Sequence, residues 1–539
     1  MYKFNLSLCN TIHCFVLLYM IGKKTLQQKS FYGISLEQLV PGDNFYRRLD
    51  AELNLDFIYP LVKHHYGNEG QQSIDPVVFF KICLVGYLNN ITSDRRLIAY
   101  CSDSLAIRLF LRYDIDEELP WHSTISRTRQ LYGEEVFMEL FRRVLSLCVQ
   151  KGMVRGKRQA VDSAFIKANA SLDSLLEKEV LDDASAYASE LDAESEFKVS
   201  AARKKLVDRH HAWKEEAYKT MPGHTSKERM DENGNLIRGK FLSNHTHYSP
   251  TDPDARISVK PGKARQMNYF GQLSVDDAHH VITGACADFA DKRDSQCLEK
   301  IVETARENLE RENMDCGEIL ADAGYSSGEA LAYVEREQLD AWMPNFGQYV
   351  PERPGFIYNK TENLYECTKE GGNGAMLLYK GERTDSKGYV KRTYRSSEKD
   401  CGRCPLRESC CGLRTKFKKI DDSIHKELFD KMHKKLKTNP EYAKRMSKIR
   451  SRTVEPVLGT LLNFMGMKRV NTRGIKGAEK HVLMAALCYN LKKYMAFVRK
   501  NRITKPAVMV REHAASYFKN ITDLVKRILK RNGALIFGY

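Results

Sequence analysis

The chain has 539 residues, 42% of them hydrophobic, which is more than one core usually serves and enough to fill two or three. Its 86 Lys and Arg against 69 Asp and Glu leave a formal charge of +17, which favours a polyanionic partner, nucleic acid first; the alternative is that the basic balance serves solubility alone. Fourteen cysteines lie scattered in apolar segments such as those around Cys83, Cys148, Cys286 and Cys488, apart from one tight cluster, which excludes a small secreted disulfide scaffold and fits a reducing cytoplasm.

The only membrane-like stretch, Cys14 to Ile21, is too short to span a bilayer and lacks the flanks of a signal peptide, so no membrane role is expected. Met20 is a candidate start, and residues 1–32 are set aside as an extension. Residues 33–152 read as a helical N-terminal domain. Asp75-Pro76 supplies an N-cap and an N1 proline for the apolar run Val77 to Leu84, and a second start falls at Ser93. A third, at Ser123, introduces a short basic helix carrying Arg127 and Arg129, the candidate DNA contacts of this domain. Gly133 breaks it before an amphipathic run from Val136 to Leu145. The outline suits a DNA-reading helix-turn-helix and an ordinary helical bundle equally.

After Gly152 the pattern changes to strands. Arg158 to Ser163 is a short apolar run that ends on Asp162. A charged helical insertion follows over about 171–255, and adjacent histidines at His210-His211 and His279-His280 read as surface residues. Tyr269 to Val275 and Val281 to Cys286 form a hairpin, Asp294 can cap the amphipathic helix that follows, and Glu318 to Ala321 is a second apolar strand delivering a second aspartate, Asp322. A helix over Ser327 to Gln338 and a strand over Leu339 to Met343 complete a mixed α/β sheet, so 153–344 is the first part of a core domain. Residues 345–430 form an inserted strand-and-loop module with five cysteines. Helices return over 431–500, where Glu455-Pro456 suggests a helix starting near the glutamate, and 501–539 is a basic tail.

Aspartates at strand ends are rigidly placed, and carboxylates that share hard cations are what phosphodiester cleavage requires. Taken singly each of these acids is an ordinary surface group; their order gives them meaning. Val161-Asp162-Ser163, Ala321-Asp322-Ala323-Gly324-Tyr325 and Thr453-Val454-Glu455-Pro456-Val457-Leu458-Gly459 resemble the three signature segments of bacterial DDE insertion-sequence transposases. Thr251-Asp252-Pro253-Asp254-Ala255 and the stretch from Arg473-Gly474 to Asn490-Leu491 resemble that family's flanking segments. The resemblance implies an RNase H-like catalytic domain in which Asp162, Asp322 and Glu455 hold two Mg²⁺ or Mn²⁺ ions. It implies cleavage and strand transfer on double-stranded DNA, at transposon terminal inverted repeats and target, by a homodimer in the cytoplasm. The chain departs from the broader pattern in having Leu462 where a downstream lysine often stands and Lys448 where a tyrosine often precedes the glutamate. Arg450, Arg452 and Arg473 are the candidate phosphate contacts near the third acid.

Cys401-x-x-Cys404 with Cys410, Cys411 and the upstream Cys367 offers a structural Zn²⁺ site, drawn from Cys367, Cys401, Cys404 and Cys410; free thiols in a loop-rich module are the other reading. Two rivals to the transposase remain: an RNase H-like endonuclease without strand transfer, and a catalytically inactive DNA-binding regulator derived from a transposase.

Overall fold

A computed structural model describes residues 24–26, 33, 35–67, 73–172, 174–177, 244, 247–258, 265–347, 349–385 and 389–500. Most of the N-terminal extension, most of the charged insertion with His210 and His211, and the basic tail lie outside the described residues. Two compact units emerge. One takes in residues up to Tyr132, Glu139–Met153 and those from Ala486 onward; the other holds Gly133–Met138 and Val154–Ala485. Among the described residues no helix is long and apolar enough to cross a membrane.

The first unit is helical. Its centre is the helix Pro76–Leu88, in which Val78, Phe79, Phe80, Ile82, Leu84 and Val85 are all buried. A helix apolar on every side has to be surrounded, and the helices Ile58–Val62, Asp94–Asp103 and Leu105–Leu111 pack against it, with Phe45–Glu52 packed in turn on Leu105–Leu111. The expected caps form: Asp75 accepts from Val77 N at 2.7 Å, and Ser93 accepts from Arg96 N at 3.4 Å. Lys81, on the central helix, is buried yet donates to Asp50 and, at 2.8 Å, to the carbonyl of Phe110.

In the second unit, β1 (Arg158–Lys167) is the axis. Residues 176–177 (β2) and 247–248 (β3) form a small separate ribbon, while β4 (Arg256–Ser258), β5 (Gln266–Asp276), β6 (Ile282–Phe289), β7 (Glu318–Leu320) and β8 (Asp340–Trp342) join β1 in a six-stranded sheet. β5 runs antiparallel to β1 and carries β6 and β4 on its other edge; β7 lies parallel to β1 and β8 parallel to β7. Nearly all of β5 is buried, as expected for a strand covered on both faces. The helix Asp294–Glu310 packs on β6, where a Cβ at Gly284 would come within 3.0 Å of Ala305 Cβ; two small residues allow that close approach. The inserted module is a five-stranded antiparallel sheet, β9 (Phe356–Asn359), β10 (Leu364–Cys367), β11 (Met376–Thr384), β12 (Val390–Ser396) and β13 (Lys419–Ser423), in the order 13-12-11-10-9.

Two local expectations need correction. The helix carrying Glu455 does not begin near it: it spans Pro440–Phe464, capped by Asn439 accepting from Tyr442 N at 3.1 Å, and Pro456 sits inside it. The proline costs one i to i−4 bond, but burial of Thr453, Val454, Val457, Leu458 and Leu461 on the inner face carries the helix through. Asp294 is not the cap of its helix but its first residue, and its carboxylate is taken by Ser163 instead.

A helix over 474–500 starts where Gly474 N and Ile475 N donate to Asp252 Oδ1 at 3.0 Å and Asp254 Oδ2 at 2.9 Å. The Thr251 to Ala255 segment therefore anchors this helix start. On the same helix Glu479 accepts from Ala287 N at 2.6 Å and lies 3.9 Å from Lys300. Burial pushes its carboxyl up to about 7, with Glu134 adding to the shift. The folded state then holds this proton more tightly than the unfolded chain. Stability from this group is full below the ordinary glutamate range and is lost as pH rises toward about 7, by an amount of order 3 kcal/mol. Thermal unfolding at pH 5 and pH 8 checks this: Glu479→Gln should melt above the wild type at pH 8 and close to it at pH 5.

Candidate active site

Asp162 and Asp322 come together through strand register. Ala160 of β1 pairs with Leu320 of the parallel β7, and each aspartate stands two residues beyond that pair, hence on the same face of neighbouring strands. Asp322 is still in extended backbone, and its carboxylate accepts from Gly324 N at 2.9 Å, starting the short 3-10 turn Ala323–Tyr325. Glu455 reaches the same place from the Pro440–Phe464 helix. Arg450, one and a half turns earlier, joins them: its Nη1 donates to Asp162 Oδ2 at 3.0 Å and its Nη2 to Glu455 Oε1 at 3.2 Å. The Arg450 side chain is 11% exposed and that of Glu455 55%, so the guanidinium sits inside the cluster and the glutamate at its solvent side.

Burial raises the Asp162 carboxyl above its ordinary range; the Ser163 N–H and Arg450 oppose the shift, and the negative charge of Asp322 adds to it. A buried carboxylate pressed by a second one, with a third nearby, is a donor set for a hard divalent cation, which supplies the positive charge such a group lacks. Among the described residues no three acidic, imidazole or thiol side chains converge closely enough to hold an ion as they stand. At this cluster the cation between the carboxylates is Arg450.

Sequence reasoning missed what surrounds the acids. The Ser163 hydroxyl donates to Asp294 Oδ1, and a Cβ on Gly324 would lie 3.0 Å from both Asp294 Oδ2 and Asp322 Oδ1, so a fourth carboxylate borders the site and the glycine makes room for it. Tyr325 is fully buried beneath, donating to Gln272 Oε1 at 2.8 Å. Burial and the nearby Asp294 and Asp162 charges hold its phenol well above the usual range, so it stays neutral. The apolar run of β1 ending on a carboxylate singled out Asp162, but nothing local announced that a helix start 131 positions after Ser163 would face it. If the cluster takes a divalent cation for cleavage, Asp294→Asn should weaken the apparent affinity for that cation by about 10-fold and lower maximal cleavage less, as expected of a positioning residue; a Mg²⁺ titration of cleavage checks this.

The candidate phosphate contacts divide. Arg127 faces solvent, but Arg129 is buried and held by Asp94 through two hydrogen bonds of 2.9 and 2.8 Å. Its guanidinium is committed to that ion pair. Arg129→Ala should cost roughly 3 kcal/mol, since it strands Asp94 in a buried site, whereas Arg127→Ala should leave the melting temperature unchanged and weaken binding to DNA. Arg452 is exposed. Arg473 lines an open cleft of about 630 Å³ with Lys167, Arg265 and Arg469, at the end of β1 that lies beyond Asp162. Cys367, Cys401, Cys404 and Cys410 line one small cavity in the inserted module, together with Cys411.

Comparison with known families bears on this arrangement. Residues 34–131 match a Transposase domain (DUF772), and residues 372–495 match a Transposase DDE domain. No curated protein matches the chain. The helical N-terminal unit and the segment that carries Glu455 thus each match a transposase domain. Together the two matches are consistent with a DDE insertion-sequence transposase. The second match takes in Arg450, Glu455 and the cysteine cluster but not Asp162 or Asp322, whose assignment rests on the geometry above.

Proposed function

We propose that this transposase cuts the ends of its element and joins them to a target, using Asp162, Asp322 and Glu455 as the ligands of two divalent cations, Mg²⁺ or Mn²⁺, in an RNase H-like domain. The observation that carries the reading is the meeting of the three acids: two on adjacent parallel strands, the third tied to the first through Arg450. The strand order 6-5-1-7-8, with β5 and β6 alternating in direction and β7 and β8 parallel to β1, supports the RNase H-like reading. Bound between these carboxylates, the cations would activate water or a 3′-hydroxyl and neutralise the leaving oxygen. The chain's own residues do the rest. Asp322 is fixed by its bond to Gly324 N, Asp162 by the Ser163 N–H, and Arg450 is free to exchange its carboxylate partners for a phosphate. The basic cleft around Lys167, Arg265, Arg469 and Arg473 suits the flanking backbone of double-stranded DNA, and Arg127 and Arg452 add solvent-facing cations. On this reading the helical unit reads the terminal inverted repeats, and a homodimer brings two ends together in the cytoplasm.

The test is product analysis. Purified protein is incubated with labelled element ends and a supercoiled target, with Mg²⁺ and with EDTA. Metal-dependent nicking at the ends followed by covalent joining of the 3′-ends to target supports the proposal. Cleavage without joining identifies an endonuclease, and binding without either product identifies a regulator.

A further inference from the structure

The inserted module has little to hold it together. Its main buried cluster is Phe356, Tyr365, Leu377, Tyr394 and Ile420, with Cys367 and Cys410 packed against them, and Leu364, Ala375 and Cys401 are also buried. A sheet of five short strands with so few buried side chains is in the range where small units depend on a covalent or metal staple. Its cysteines are all free, so no disulfide supplies one. Instead Cys367, from the end of β10, Cys401, Cys410 and Cys411, from the two short helical turns Glu398–Gly402 and Arg407–Cys411, and Cys404, from the link between those turns, ring a cavity of about 20 Å³. That is room for one water-sized occupant.

The geometry points to a structural Zn²⁺ bound by Cys367, Cys401, Cys404 and Cys410, which ties the end of β10 to the helical turns between β12 and β13. Four thiols bordering one space of this size are the donor type and number that a tetrahedral zinc ion takes. The Cys401-x-x-Cys404 turn brings two sulfurs from one short segment, with Cys404 N donating to Cys401 O at 3.2 Å. The charge also fits. A zinc held by four thiolates carries two negative charges, and Lys369 Nζ stands 3.5 Å from Cys410 Sγ, while Lys418 and Arg407 line the same cavity. Cys410 rather than Cys411 is the fourth ligand because neighbouring residues on a helical turn diverge by about 100°, and Cys410 is the one packed on the module's core beside Lys369. The sulfurs ring the cavity without yet converging on one point, so binding draws them inward. Each ligand gives up its S–H proton, and loading one ion releases up to four protons to solvent.

The experiment is metal analysis of the full chain purified under reducing conditions without added chelator. The expected result is one zinc per chain. Exchange for Co²⁺ should give the thiolate-to-metal absorption and tetrahedral d–d bands of a four-sulfur site. Cys401→Ser and Cys404→Ser should lose most of the metal, and Cys411→Ser should keep it. A folded wild-type protein that carries no zinc, takes none up on titration and shows no cobalt bands overturns the proposal whatever the variants do. Retention of zinc by Cys410→Ser with loss in Cys411→Ser overturns the ligand assignment. Because these readouts are independent of DNA cleavage, they stand apart from the proposed catalytic role of the acids.

Discussion

Asp162→Asn and Asp322→Asn should each slow cleavage of the element ends by roughly 10³-fold or more, about 4 kcal/mol of lost transition-state stabilisation, while leaving DNA binding intact. Both substitutions preserve shape. An asparagine at 322 can still accept from Gly324 N, and one at 162 can still accept from Ser163 N, so the turn and the strand keep their local bonds. What disappears is one negative charge where a divalent cation would be its partner, at Asp162 in a place where burial already disfavours that charge. Glu455→Gln belongs with them, though its solvent-side position makes a smaller loss reasonable. Glu441→Gln, an exposed acid on the same helix, is the control and should cut normally. Single-turnover rates on labelled ends, with gel-shift binding measured in parallel, check all four. Wild-type rates in either aspartate variant would remove these residues from the reaction.

Legibility in the sequence followed the range of the interaction. The strand-borne aspartates, the Asp75 and Ser93 caps and the order of strands and helices across 158–342 were readable because each depends on a few neighbouring residues. Helix Pro440–Phe464 was misjudged at its start because Pro456 is a strong local stop signal, overridden by the buried Val454, Val457 and Leu461. Arg129 looked like a DNA contact because its helix is basic; only the fold brings Asp94 to it across 35 positions. The same holds for Asp294 and Ser163, and for Arg450, whose two carboxylate partners lie 5 and 288 residues away. The Thr251 to Ala255 segment shows the reverse: it stood out as a family-like stretch, yet its aspartates bond the start of the 474–500 helix.

Arg450→Ala should separate metal binding from catalysis. In the structure this guanidinium uses its two arms on the carboxylates that the proposal gives to metal ions, so a cation and Arg450 compete for the same oxygens. Like charges about 4 Å apart repel by about 4 kcal/mol at an effective dielectric near 20, and solvent on the Glu455 side reduces that. Removing the arginine should therefore tighten Mn²⁺ binding, by about 10-fold if a third of that energy survives. Cleavage should nevertheless fall by on the order of 10²-fold, because a donor positioned for the reacting phosphate is gone. Arg450→Lys should recover the competition with metal but little of the rate, since an ammonium cannot span two partners as the planar guanidinium does. Mn²⁺ affinity by calorimetry and single-turnover cleavage at saturating metal measure the two effects separately. Tighter metal binding with slower cutting is the outcome expected of a residue that holds the carboxylates before DNA arrives and the phosphate afterwards. If affinity and rate fall together, Arg450 only orients Asp162 and Glu455, and its place is in the scaffold of the site.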